Sequence, residues 1–258
     1  MTVRRRCSTI GADMEINRIV SAIKAGRKAQ GCVLMFPSAD LVELAGIAGF
    51  EFVHLDGEHG TFTPESLDAM CRAAGAAGMT VTARTPGIDP AVINLYLDRG
   101  VWGIVGPHIE TAAEAKALVD ACRFGPDGDR SWGAGRATFY NDPVSIKDAT
   151  GSRLPVMKQA NENMLVIAQL ETVKGFDNIE AILKVKGIDA FTHGPNDLAQ
   201  SMGLPGQPEH PRVVEAMKQA NKRIRDGGGT LWSDLTTTAY AHQLFLDASR
   251  AFIKGAGH

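Results

Sequence analysis

Glu171 and Asp197 are the two acids whose placement in this 258-residue sequence says most about chemistry. Each lies at or just past the end of a short apolar run, and the two runs are consecutive. Two carboxylates brought together without a cation repel, and one pKa rises. A divalent ion removes that conflict, and carboxylates with water make the hard-oxygen surroundings that Mg²⁺ or Mn²⁺ accepts. The plainer alternative is structural, with Glu171 capping the next helix and Asp197 standing in the first turn of a short one. His59 belongs to Asp56-Gly57-Glu58-His59-Gly60. An adjacent carboxylate such as Asp56 could fix its tautomer and strengthen it as a base, while an exposed loop histidine is the bland alternative. Arg84 emerges from a buried strand and needs an anionic partner, either Asp56 or Glu58 or the oxyanion of a bound molecule. Gly194-Pro195-Asn196-Asp197 opens a helix whose backbone N–H groups can face an anion.

These residues need a scaffold that gathers them. Short apolar runs alternate with amphipathic stretches, the pattern of parallel strands joined by helices. The predicted strands are Cys32–Pro37, Phe52–Asp56, Thr80–Arg84, Trp102–Pro107, Leu165–Glu171, Ala190–His193, Thr230–Trp232 and Ala251–Lys254. Leu67, Met70, Cys71 and Ala74 fall at helical spacing, as do Val213, Met217, Ala220 and Ile224, and again Ile179, Ile182 and Leu183. Thr63-Pro64 and Asp89-Pro90 read as capping residues followed by proline at the first helical position. This predicts an α/β chain folded as one (β/α)₈ barrel over residues 1–258, with residues 1–30 as an N-terminal extension and helix. An open doubly wound sheet is the alternative. Met14–Ala25 is expected to be helical and to close one barrel end. Arg123–Asn163 is too long for a simple loop and should be functional or partly helical. No room is expected for a final helix after Ala251–Lys254. In such a barrel, groups at the C-terminal ends of strands converge on one mouth.

Composition narrows the field. The net charge of −2 and the lack of a basic stripe argue against a nucleic-acid partner. No apolar run approaches the roughly 18–20 residues that span a bilayer. Arg4, Arg5 and Arg6 precede a polar stretch rather than a signal-peptide core, which points to the cytoplasm. The cysteines (Cys7, Cys32, Cys71, Cys122) lack metal-type spacing and read as reduced thiols, the last three as core filler. There is no G-x-S-x-G elbow and no G-x-G-x-x-G fingerprint. Schiff-base chemistry would need a desolvated lysine. Lys184 and Lys186 precede a predicted strand instead of ending one, which leaves Lys254. Trp102, Trp132 and Trp232 are expected to pack, with Trp132 the most open to another role.

Taken in order, Leu55-Asp56-Gly57-Glu58-His59-Gly60, Arg84-Thr85-Pro86, Gln169-Leu170-Glu171-Thr172 and Gly194-Pro195-Asn196-Asp197-Leu198 resemble the HpcH/HpaI aldolase family. The resemblance runs from about Gly31 to the C-terminus and takes in Asp89-Pro90, the Thr111–Glu114 helix start, Arg123–Arg130 and Asn161. It implies a modified (β/α)₈ barrel forming trimers or hexamers. It also implies a class II aldolase that handles pyruvate as an enolate and adds it reversibly to an aldehyde. By that resemblance Glu171 and Asp197 ligate a divalent metal (Mg²⁺, Mn²⁺ or Co²⁺). His59 is the base, oriented by Asp56, and Arg84 holds the substrate oxygen. Gln169 lines the site, and Gly194, Pro195, Asn196 and Asp197 receive the substrate carboxylate. The competing readings are an acyl-CoA lyase of the citrate-lyase type and a non-catalytic 2-oxoacid-binding barrel. The sequence departs from the family pattern at the missing last helix, at His193 and His108, where apolar residues are usual, and at Ser131-Trp132.

Overall fold

The computed structural model describes residues 17–255. Cys7, the arginines at 4–6 and the start of the expected Met14–Ala25 helix lie outside them. Seven parallel strands make one curled sheet: β1 Ala29–Leu34, β2 Phe52–Asp56, β3 Thr80–Arg84, β4 Gly103–Gly106, β5 Leu165–Leu170, β6 Ala190–His193 and β7 Thr236–Tyr240. Their order is β6-β5-β4-β3-β2-β1-β7. Beyond β6 the wall is continued by a single parallel bridge between Phe191 and Leu231. The result is a modified (β/α)₈ barrel in which one strand position is reduced to that bridge.

Six of the predicted strands are present with modest changes of boundary, and the last two are corrected. Thr230–Trp232 contributes only the Leu231 bridge, because Trp232–Leu235 turns helical. The strand beside β1 is instead Thr236-Thr-Thr-Ala-Tyr, in which Thr237, Thr238 and Tyr240 are exposed. It carries no apolar run, although its β-branched threonines suit a pleated backbone. Ala251–Lys254 is not a strand. It is the end of a final helix, Ala241–Gly255, which the sequence reading left no room for. A short apolar run does not distinguish helix from strand, and this one continues a longer amphipathic stretch. Only Ala241 of that helix is buried, while Phe245 and Phe252 are 71% and 78% exposed. Lys254 is exposed on it, without the desolvation that an amine nucleophile needs.

The helical layer follows the expected stripes. Leu67, Met70, Cys71 and Ala74 are buried in the helix Pro64–Ala76, and Val213, Ala220 and Ile224 in Pro211–Asp226. Thr63 and Asp89 cap their helices ahead of a proline, and Thr111 with Glu114 forms a reciprocal capping box. A second core lies at the N-terminal end of the strands. Ile19 and Ala22 of the helix Arg18–Lys24 meet Ala29, Phe52, Leu165, Ile167 and Ala190 there. Asn17 ties this helix down by donating to the Trp102 and Asn163 carbonyls at 3.1 and 2.9 Å. This floor shuts the end opposite the strand C-termini, as expected of the N-terminal helix. Gly31 makes room for it, since a Cβ there would lie 2.1 Å from the Phe52 ring.

The long segment after Arg123 is largely helical, with a 3₁₀ stretch Arg136–Asn141 and helices Pro143–Thr150 and Arg153–Asn163. It has its own small core of Phe139, Ile146 and Val156, against which Trp132 packs. Arg130 is buried over the Phe124 ring at 4.5 Å, and Asn161 bonds both the N–H and the carbonyl of Phe124 at 2.8 Å. The Arg123–Arg130 and Asn161 motifs are therefore structural. Burial pushes the Cys71 and Cys122 thiols up to about 12, which leaves them unreactive filler.

Candidate active site

The strand registers decide which side chains meet. In the β2–β3 ladder Asp56 stands directly opposite Arg84. Asp56 Oδ1 accepts from Arg84 Nε at 3.0 Å, and Oδ2 accepts from the second guanidinium nitrogen, so the pair is bidentate. Arg84 also holds Glu58 Oε2 at 2.9 Å in ion-pair contact that is out of line for a hydrogen bond. Burial works to raise the Asp56 carboxyl. The Arg84 hydrogen bonds and charge, with the His59 amide, outweigh it and hold the group below its ordinary value. Burial likewise works against the Arg84 cation, but Asp56, Glu58 and Glu171 together raise it. That Glu171 contributes places the ends of β3 and β5 within electrostatic reach.

One expected contact differs. The family resemblance implies that Asp56 orients the His59 ring. Asp56 Oδ1 instead accepts from the backbone N–H groups of Glu58 and His59, each at 3.2 Å. A carboxylate already engaged bidentately by a guanidinium has little left for a neutral imidazole. The His59 ring is 58% exposed, with Nε2 3.9 Å from Glu58 Oε2. Asp56 thus shapes the loop that carries His59 and leaves the ring itself open to the barrel mouth.

Glu171 follows β5 and is almost completely buried. Its Oε1 accepts from the His108 backbone N–H at 2.9 Å, and its Oε2 accepts from the side-chain amide of Gln169. Burial raises the Glu171 carboxyl; His108 and Gln169 lower it, and the charge of Asp197 raises it again. The β5–β6 register ends with Leu170 opposite His193, which brings Gly194 beside Glu171. A Cβ on Gly194 would lie 2.0 Å from Glu171 Oε2. Gly194 precedes the helix Pro195–Ser201, whose first turn carries Asp197 half-buried. The arrangement is therefore a buried carboxylate, a second carboxylate whose charge it feels, and a backbone with no side chain between strand and acid. These donors fit a small hard cation that keeps positions for water and substrate oxygens. Among the described residues no three His, Cys, Asp or Glu side chains already converge as a closed cage.

Two participants were not among the residues singled out for the site. Glu58 joins Arg84 to His108, and His108 reaches both Glu58 and Glu171. The cue for Glu58 was its place between Asp56 and His59. His108 was visible only as a departure from the family pattern. His193, the other histidine departure, does not face these groups. It bonds the Leu170 carbonyl and Asn221 and packs edge-on against Phe176. Lys184 and Lys186 have no contact with the cluster. A cavity of about 580 Å³ bounded by Arg72, Asp98, Arg99 and Arg136 lies in the outer helical layer, apart from these groups. A larger cavity, about 920 Å³, has Pro195 and Asn196 in its wall. Charge and register point to the mouth.

Residues 31–257 match the family described as HpcH/HpaI aldolase/citrate lyase. The chain is 36% identical over 215 residues to 4-hydroxy-2-oxovalerate aldolase of Rhodococcus jostii (strain RHA1), covering 83% of this chain and 79% of that one. It is 33% identical over 217 residues to the hydroxypyruvate/pyruvate aldolase of Sagittula stellata (strain ATCC 700073 / DSM 11524 / E-37), covering 84% and 82%. The crystal structure of an HpcH/HpaI aldolase from Desulfitobacterium hafniense DCB-2 superposes with a TM-score of 0.80 at 24% identity, over 92% of this chain and 95% of that one, which shows the shared fold. With strand ends, carboxylates and guanidinium arranged as described, this chain belongs to the HpcH/HpaI aldolase/citrate lyase family and is a carbon–carbon lyase of the aldolase type.

Proposed function

We propose that this protein interconverts a 4-hydroxy-2-oxo acid with pyruvate, or a close 2-oxo acid, and an aldehyde, and that it needs a divalent cation to do so. The observation that carries this is Glu171, a buried carboxylate that feels Asp197 and shares its surroundings with Arg84. Glu171 and Asp197 would hold the cation, with Mg²⁺, Mn²⁺ and Co²⁺ as the candidates. When bound, the cation supplies Lewis acidity to the keto oxygen of the 2-oxo acid.

The chain's own groups supply the rest. Its two bonds to Asp56 take two of the five guanidinium donors of Arg84, and the remaining N–H groups can meet negative charge that develops on the keto oxygen. The backbone N–H groups at the start of Pro195–Ser201, around Asn196 and Asp197, receive the substrate carboxylate, and Pro195 presets that turn. Gln169 holds Glu171 in place and lines the same wall. His59, open at the mouth, takes a methyl proton directly or through a water, and the resulting enolate attacks the aldehyde. Asp56 is a positioning residue that fixes Arg84 and the His59 loop.

The test is proton exchange at the methyl group of pyruvate in D₂O, followed by ¹H NMR, which needs no knowledge of the aldehyde. Exchange should be rapid with Mg²⁺, Mn²⁺ or Co²⁺ and fall to background in excess EDTA. Undiminished exchange in EDTA, together with inactivation by borohydride and pyruvate, would replace this reading with a lysine mechanism.

The exposed apolar residues of Ala241–Gly255, with Leu244 and Ile253 beside Phe245 and Phe252, support a homo-oligomer, and we take a trimer or hexamer as the assembly. The free buried thiols Cys32, Cys71 and Cys122 support a reducing, cytoplasmic setting. Among the described residues no helix is long and apolar enough to cross a membrane.

A further inference from the structure

We propose that the imidazole of His108 is a nitrogen donor to the cation at Glu171, and that it tilts the site from Mg²⁺ toward Co²⁺. This rests on the reading of Glu171 as a cation ligand. Three features of His108 support it. The first is reach: Nδ1 lies 3.1 Å from Glu171 Oε1. Adjacent donors on an octahedral ion with bonds of about 2.1 Å stand roughly 3.0 Å apart, so the two atoms are already spaced as neighbouring ligands of one ion.

The second feature is the far side of the ring. Nε2 lies 3.1 Å from Glu58 Oε1. A metal-ligating histidine characteristically donates its other ring N–H to a carboxylate, which fixes the tautomer and raises the basicity of the ligating nitrogen. In the tautomer that donates Nε2–H to Glu58, Nδ1 is the unprotonated nitrogen, on the Glu171 side of the ring though out of line for a hydrogen bond to it. Glu58 is itself held by Arg84 at 2.9 Å, so the orienting carboxylate is anchored in turn.

The third is the backbone. His108 adopts φ 54°, a left-handed conformation that non-glycine residues seldom take. The turn sets its own N–H on Glu171 Oε1 at 2.9 Å while its ring flanks the same oxygen. Main chain and side chain thus converge on a single carboxylate.

Carboxylate and water suit Mg²⁺, whereas imidazole favours the later first-row ions. Replacing His108 should therefore weaken Co²⁺ binding by a larger factor than Mg²⁺ binding. The test titrates the metal-stripped full chain calorimetrically with CoCl₂ and with MgCl₂, and records the visible spectrum of the Co²⁺ complex. His108→Gly suits the left-handed backbone and removes the ring, and His108→Asn keeps a polar side chain at the same φ. Both should weaken Co²⁺ about 10–100-fold and leave Mg²⁺ within about threefold, with a changed Co²⁺ spectrum. Free imidazole should restore the spectrum of His108→Gly. Glu58→Gln should weaken Co²⁺ in the same sense by a smaller factor. If the wild type binds Co²⁺ and Mg²⁺ but both His108 variants keep its affinity ratio and spectrum, the role of His108 is refuted and the Glu171 reading stands. If the wild type binds neither ion, both fall together.

Discussion

Replacing Gly194 with alanine tests the position of Glu171 with one methyl group. The new Cβ would stand 2.0 Å from Glu171 Oε2 and 3.1 Å from both Gln169 Nε2 and Glu171 Cβ. Ordinary contact begins near 3.4 Å, so something must move by roughly 1.4 Å. The ladder pins both strands nearby, with Leu170 paired to His193. The soft coordinate is the carboxylate, which must swing off its bonds to Gln169 or His108. Overpacking of this kind costs about 1–3 kcal/mol, or roughly 2–12 °C in Tm for a chain of this size. A catalytic group displaced by about 1 Å costs on the order of 10²-fold in rate. Gly194→Ala should therefore keep its far-UV circular dichroism, lose a few degrees in Tm and slow metal-dependent exchange of the pyruvate methyl protons about 100-fold. Gly87→Ala is the matched control, because a Cβ there meets nothing within 4 Å. It should stay within about threefold of wild type. A folded Gly194→Ala protein with exchange also within threefold would show that the Glu171 oxygen need not be where the structure puts it.

Arg84→Ala should lower turnover by about 10²–10³-fold through loss of an electrostatic stabiliser. It should also destabilise the fold by about 3–5 kcal/mol, because Asp56 is left buried without its cation. Near-normal turnover would remove Arg84 from the chemistry. Partly buried on β2, with Nδ1 2.9 Å from Thr82 Oγ1, His54 is held down to about 4 by desolvation, against 6.5 when free. Between those pH values the unfolded chain takes up a proton that the folded chain refuses. Stability should fall as pH drops from 6.5 to 4, by at most about 3 kcal/mol from this residue. Urea melts of His54→Gln across that range should show a shallower slope than wild type, and an equal slope would clear His54 of the effect. Phe245→Asp with Phe252→Asp places charge on the exposed face of the last helix. Light scattering after size exclusion should show a smaller species than wild type, and an unchanged mass would detach that helix from assembly.

Much of the scaffold was legible because its signals are local. Thr63-Pro64 and Asp89-Pro90 announce helix starts through side chains that reach only their own first turn. β5 is buried at all six positions, so its apolar run had to be a covered strand. β7 was missed because Thr237 and Thr238 face solvent and leave no apolar trace. The final helix differs from the expectation because, among the described residues, its apolar side chains beyond Ala241 stay exposed, so the stripe did not point to a core.

For the site, residue types and order nominated Asp56, Arg84, Glu171 and Asp197 beside structural alternatives such as helix capping and ion pairing, and the family resemblance supplied their expected roles. What sequence order could not decide is which of them touch. Register placed Asp56 against Arg84 rather than against the His59 ring, and set Gly194 where any side chain would displace Glu171. The left-handed turn at His108 brought in a residue separated from Glu58 by fifty positions and from Glu171 by sixty-three. Local signals fix the chemistry a chain carries. Hydrogen-bond partners at that separation depend on strand pairing and backbone direction, which no short stretch of residues contains.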